Sequence, residues 1–202
     1  VTNDRIGDQD IVPMVLQSDI EKIRLTMEEL DSESFEGAVD AIVSARKIYL
    51  IGVRSSAALT TFLHFYLNLI FDNVVMVSAN TASEIFESLL RVGQEDVVVG
   101  VSFPRYSSAT AKGAQYCRST GATVIGITDN PDSPLGLASD HVLCAKSDMM
   151  SLVDSLVAPL SIVNALIVAV AAKREKELHR TFEELEHIWE EYHVYQKRDE
   201  NP

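Results

Sequence analysis

The sequence predicts an α/β protein, a doubly wound three-layer sandwich around a five-stranded parallel sheet, with helical extensions at both ends. Two observations predict it. Short runs of β-branched and apolar residues alternate with longer segments whose apolar residues recur every three or four positions, the order produced when crossover helices join parallel strands. The same strand–turn–helix grammar also occurs twice, at Lys47–Ser56 (K-I-Y-L-I-G-V-R-S-S) and at Val97–Thr110 (V-V-V-G-V-S-F-P-R-Y-S-S-A-T). The chain has 202 residues, 47% of them hydrophobic, enough for one such domain with a sizeable core.

Taken in order, Val1–Asp10 is polar and expected to be loose. Pro13 suits the first turn of a helix, and Leu16, Ile20, Ile23, Met27 and Leu30 then form an apolar stripe. Ser32 is the expected cap of a second helix carrying Phe35, Val39, Ile42 and Val43. These two helices pack either on the sheet or on another subunit. The first strand is 48–53, turned by Arg54–Ser56 into a helix over Ala57–Phe71. Val74–Val77 is the second strand. Thr81–Glu84 fits a capping box opening a helix that Gly93 is placed to end. Val97–Val101 is wholly apolar, as befits a parallel strand buried on both faces. Ser107 is placed to cap the next helix and Gly121 to end it. Thr123–Ile127 and His141–Ala145 are the last strands, with a turn-rich loop at Asp129–Pro134 between them. Ser151–Asp154 reads as a second capping box, opening an apolar helix to Ala172 that Pro159 should bend or make irregular in its first turn. Leu178, Phe182, Leu185, Ile188 and Tyr192 mark a charged C-terminal helix, on which Trp189 can anchor a contact. The expected division is therefore 1–46, a helical arm; 47–172, the sheet domain; and 173–202, an amphipathic helix.

Composition narrows the function. A net charge of −13 argues against this chain alone coating nucleic acid, which needs clustered Lys and Arg. No apolar run reaches the length of a membrane span, and no signal peptide is read. Cys117 and Cys144 read as reduced, buried thiols, and no Cys/His pattern suggests a metal. The dinucleotide fingerprint and the P-loop are both absent, so no cofactor is expected.

The candidate site lies at the carboxyl ends of two strands, where open α/β sheets bind ligands. Ser55 and Ser56 stand at a helix start, whose unpaired N–H groups and dipole favour an anion; plain capping is the competing reading. Arg54 tilts the balance, because a guanidinium grips phosphate through two parallel bonds. Ser102, Arg105, Ser107, Ser108 and Thr110 form the second cluster, which can also be read as a surface turn with a solvated arginine. Together they predict one anionic pocket. An isomerase would need a base aimed at the ligand, and Asp154, Glu84, His179, His187 and His193 are the candidates. His64 reads as a packing residue. No acid–base pair stands out, which favours a sensor over an enzyme; a bare oligomerisation domain is the third class.

Gly52-Val53-Arg54-Ser55-Ser56, Val97–Ser107, Ile125–Pro131 and Ser155–Leu160 together resemble the sugar-isomerase (SIS) domain, and more narrowly the effector domain of RpiR-type transcriptional regulators. The resemblance spans about Ala41 to Ala172. It implies a phosphosugar at the strand ends, with Ser56 matching a G-x-G-x-S turn and Ser102 and Ser107 the ends of an S-x-S-G-x-T/S loop. Arg54 stands where the first motif usually has Gly, and Pro104-Arg105 where the second has Ser-Gly, so a ligand more acidic than a hexose phosphate, or smaller, is expected. The resemblance also implies a cytoplasmic homodimer or tetramer, in which DNA is reached only through a helix-turn-helix domain. No such domain precedes Lys47 and the chain begins at Val1, so it is expected to be the effector half of a longer regulator.

Overall fold

The computed structural model describes residues 10–77, 81–148 and 154–194. The expected loose segment before Asp10 lies outside the described residues, as does Ser151–Val153. The elements run α1 (Ile11–Glu29), α2 (Ser32–Ser44), β1 (Lys47–Gly52), α3 (Ser56–Leu67), β2 (Val74–Val77), α4 (Ala82–Leu89), β3 (Asp96–Val101), α5 (Ser108–Ser119), β4 (Thr123–Thr128), β5 (His141–Cys144), α6 (Val157–Lys173) and α7 (Glu175–Glu191). The five strands are all parallel, in the order β2-β1-β3-β4-β5. Every residue of the central β3 is buried, because helices cover both faces of the sheet.

Two apolar cores result. On one face Val39 and Ile42 of α2, Leu63 of α3 and Leu166 of α6 meet Leu50, Val99 and Ile127 of the sheet. On the other, Ile85 and Leu89 of α4 and Ala114 and Cys117 of α5 meet Ile51, Val98 and Val124. The edge strand β5 is closed by α2: the Ser34 hydroxyl accepts from the Val142 amide at 2.8 Å and lies 3.2 Å from its carbonyl. The α1 helix lies against α6 and shows its own domain a polar face. Lys22 and Thr26 are its buried residues, while Leu16, Ile20 and Met27 of the apolar stripe are exposed.

Several boundaries differ from the sequence expectation. Asp31, not Ser32, caps α2, because its carboxylate accepts the Glu33 and Ser34 amides. The third helix stops at Leu67, four residues before Phe71, and the chain turns through Asn68–Ile70 into β2. The Thr81/Glu84 capping box forms, but α4 ends at Leu89, so Gly93 stands beyond the helix and gives its amide to Asp96. Asp154 stands before α6, which begins at Val157 with no side-chain cap among the described residues, and Pro159 falls in its first turn, where a missing N–H costs nothing. The charged α7 leaves α6 at 96° and buries no residue. Among the described residues no single helix is long and apolar enough to cross a membrane.

Candidate functional site

The chain reverses direction across the sheet between β1 and β3. β2 lies on one side of β1, and everything after it on the other. Gly52 pairs with Val101 in register, so the segments that follow, from Val53 and from Ser102, leave the sheet side by side. This crevice is where a doubly wound sheet receives ligand.

The turn after β1 is tight. A Cβ on Gly52 would come within 2.7 Å of Thr60 Cγ2 and 2.9 Å of the Ser56 carbonyl, so only glycine lets the start of α3 sit this close to the strand. Arg54 follows at φ 57° and Ser55 returns to helical backbone. The Ala57 and Ala58 amides donate to the Arg54 and Ser55 carbonyls, tightening the first turn. Ser55 makes no capping bond to the helix. Its hydroxyl instead donates to Asp154 Oδ2 at 3.3 Å, across the crevice. Ser56 is buried in the first turn of α3.

The turn after β3 is held by its own serines. The Ser102 hydroxyl accepts the Ser107 amide and the Ser107 hydroxyl accepts the Thr110 amide, each at 3.1 Å. Both hydroxyls act here as acceptors, which leaves each O–H proton to donate to a ligand. Arg105 stands at φ 56°, the counterpart of Arg54. Tyr106 ties the loop to the end of β4 by donating to the Asp129 carboxylate at 3.0 and 3.1 Å. Burial, and then that carboxylate, hold the Tyr106 phenol above its ordinary pKa.

These two turns and Asp154 enclose a cleft of about 530 Å³, lined by Arg54, Ser55, Ser56, Ser102, Arg105, Ser107 and Asp154. The starts of α3 and α5 both meet it. Both arginines are exposed, and neither side chain has a hydrogen bond or ion pair among the described residues. Of the residues expected from sequence, Thr110 alone does not line the cleft. It is fully buried in the first turn of α5, and its hydroxyl has no hydrogen-bond partner among the described residues. The other base candidates lie elsewhere. Glu84 serves the α4 capping box, His179 pairs with Glu183 at 3.2 Å on α7, His187 is on the same helix and His193 just beyond it. His64 lies beside Asn68 on α3. Sequence reasoning named Asp154 as a candidate base but favoured a place for it in a helix capping box. Pro159 held the signal against that placement, since a helix that starts near 157 is the one that accommodates it.

Comparison with known proteins agrees with this geometry. The SIS domain model matches residues 41–169. An uncharacterised HTH-type transcriptional regulator of Caldanaerobacter subterraneus is 25% identical over 186 residues, covering 88% of this chain and 65% of its own length. The chain thus spans about two thirds of that regulator. The sugar isomerase domain of an RpiR transcription factor from Sphaerobacter thermophilus superposes with a TM-score of 0.83 at 26% identity, covering 89% of this chain and 99% of that domain. The Vibrio vulnificus NanR protein, solved as a complex with ManNAc-6P, superposes with a TM-score of 0.77 at 22% identity over 92% of this chain and 70% of its own. With five parallel strands in this order, a cleft at the β1/β3 crossover and a family match over most of its length, the chain belongs to the SIS domain family.

Proposed function

We propose that this chain is the phosphosugar-sensing effector domain of a bacterial, cytoplasmic RpiR-type transcriptional regulator, built as arm (1–46), sensor (47–172) and C-terminal helix (173–202). The observation that carries the reading is the cleft itself. Two helix starts, the serines Ser55, Ser56, Ser102 and Ser107, and two guanidinium groups that have no partner among the described residues meet at a single crevice, the donor set that a phosphate monoester needs. The NanR complex with ManNAc-6P supports phosphosugar as the ligand class, and the HTH-type relative supports a regulatory role in which DNA is bound by a separate domain.

The contacts behind the cleft support signal transfer. Ser55 at the ligand site bonds Asp154, and the next residue, Ser155, donates to Asp19 of α1 at 2.7 Å. The Lys146 amide donates to Thr26 of α1, and Lys22 of α1 pairs with Asp148 at 3.0 Å. Lys146 and Asp148, after β5, and Asp154 and Ser155, before α6, therefore touch between them both the ligand site and the N-terminal arm. A phosphosugar that binds one arrangement of these residues better than another biases the arm, and differential affinity is the only means by which it can. The ligand acts on a homodimer, joined through the exposed apolar stripe of α1.

The second reading is an aldose–ketose isomerase, favoured by a carboxylate, Asp154, within the cleft. A thermal-shift screen against sugar phosphates, free sugars and inorganic phosphate separates the readings. A phosphosugar at a hundred times its Kd stabilises by about 2.7 kcal/mol, a shift of about 5 to 10 °C for a chain of this size. The expected result is such a shift with phosphosugars, none with free sugars, and no aldose–ketose conversion on incubation. Arg54→Ala with Arg105→Ala should abolish the shift. Conversion would establish the isomerase, and a shift that survives both substitutions would move the ligand out of this cleft.

A further inference from the structure

We infer that Asp154 is a specificity-determining residue of this cleft, and that it restricts the ligand to a single phosphate ester on an uncharged polyol or sugar. The inference rests on the cleft being a phosphosugar site. Two arginines seen without an acid suggest a ligand more acidic than a simple hexose phosphate. The structure adds the acid. Asp154 lies on the cleft wall, half-buried, with Oδ2 accepting from Ser55 at 3.3 Å and no hydrogen-bond partner for Oδ1 among the described residues. Arg54 and Arg105 contribute two positive charges and Asp154 removes one. The starts of α3 and α5 add about half a charge each, because both helices are twelve residues long and open onto the cleft. The balance is about two positive charges, which one phosphate monoester dianion matches. A carboxylate or second phosphate on the same ligand has no cation left to meet and one anion to repel it.

Asp154 also has a positive part to play. An ionised carboxylate is an acceptor only, with room for several donors, and it uses one here. The hydroxyls of a sugar are donors of the kind it needs, and a bond to a charged acceptor is about twice as strong as a neutral one. Phosphate is thus read by the arginine and serine side of the cleft, and uncharged hydroxyls by Asp154. Inorganic phosphate satisfies only the first half.

Calorimetric titration of the chain and of its Asp154→Asn variant tests this. The probes are the 6-phosphates of glucose, mannose and galactose, each with its 1,6-bisphosphate and its 6-phosphoaldonate. Asparagine keeps the size of the side chain and an oxygen for Ser55, so the fold is kept. The expected result is that the preferred monoester of an uncharged sugar binds about tenfold or more tightly than its bisphosphate and its aldonate, and that Asp154→Asn shrinks this ratio to about threefold or less. A bisphosphate or aldonate that binds the wild type as tightly as the monoester overturns the inference while leaving the phosphosugar site intact. A ratio unchanged in Asp154→Asn does the same. If none of the phosphorylated probes binds, the reading of the cleft falls and the inference with it.

Discussion

At φ 57° and 56°, Arg54 and Arg105 occupy backbone ground that glycine enters freely and other L residues enter at about 1 to 2 kcal/mol. Glycine would recover that strain but lose about 0.5 to 1 kcal/mol to chain entropy, so substitution is nearly neutral for the fold. Arg54→Gly with Arg105→Gly is therefore expected to melt within about 1 kcal/mol of wild type, or above it, while phosphosugar affinity falls at least about tenfold. Lower stability with unchanged affinity would show that the arginines serve the loops and not the ligand. Cys117 governs a different condition. Burial, and then the nearby Asp96 carboxylate, push its thiol from 9.0 up to about 12. The folded chain then holds this proton where the unfolded chain releases it, so the stabilisation is whole below pH 9 and is lost as pH rises toward 12. Urea midpoints should fall from pH 9 upward, and less steeply in Cys117→Ala; an equal slope in both would assign the fall to other groups.

At the scale of elements, the two turns at the cleft are built on different local rules. The turn after β3 is a capped helix start, with Ser107 in the expected place. The turn after β1 has no cap and depends on Gly52, whose absent Cβ admits the start of α3. Gly52→Ala must move the first turn of α3 by several tenths of an ångström, at about 1 to 3 kcal/mol, and should weaken phosphosugar binding because Ser55 and Ser56 move with it. A variant with wild-type urea midpoint and affinity would show that the turn yields without cost. The strands and most helices were legible because apolar periodicity reports burial, and burial on both faces leaves little else for a run such as Val97–Val101. Arg54, Ser56, Ser102, Arg105 and Ser107 were legible as cleft residues because topology alone brings the ends of β1 and β3 together. Asp154 was not. Its local pattern matches a helix cap, and its actual partner, Ser55, is 99 residues away, a relation that no local rule carries.

At the scale of the molecule, α1 is the element whose environment the chain alone leaves incomplete. Its periodicity is that of an amphipathic helix, yet the side it gives its own domain is held by polar bonds: Thr26 to the Lys146 amide, Lys22 to Asp148, and Asp19 to the Ser155 hydroxyl. The apolar side faces outward, with Val12 63%, Ile20 58% and Met27 71% exposed. An apolar stripe this continuous marks an association surface rather than scattered exposure. Phe182 and Ile188 of α7 are exposed in the same way, although they have fewer apolar neighbours on a strongly charged helix. A second copy of the chain is the economical occupant, because a closed twofold contact buries the same stripe on both partners. Sedimentation at tens of micromolar chain should therefore give a dimer, and Leu16→Glu with Ile20→Glu a monomer, since burying two carboxylates per partner in an apolar contact is costly. Both residues are exposed on the isolated chain, so the variant should keep its melting temperature and its shift with phosphosugar. A wild-type monomer, or a dimer that survives both substitutions, would place the association surface elsewhere and turn attention to α7.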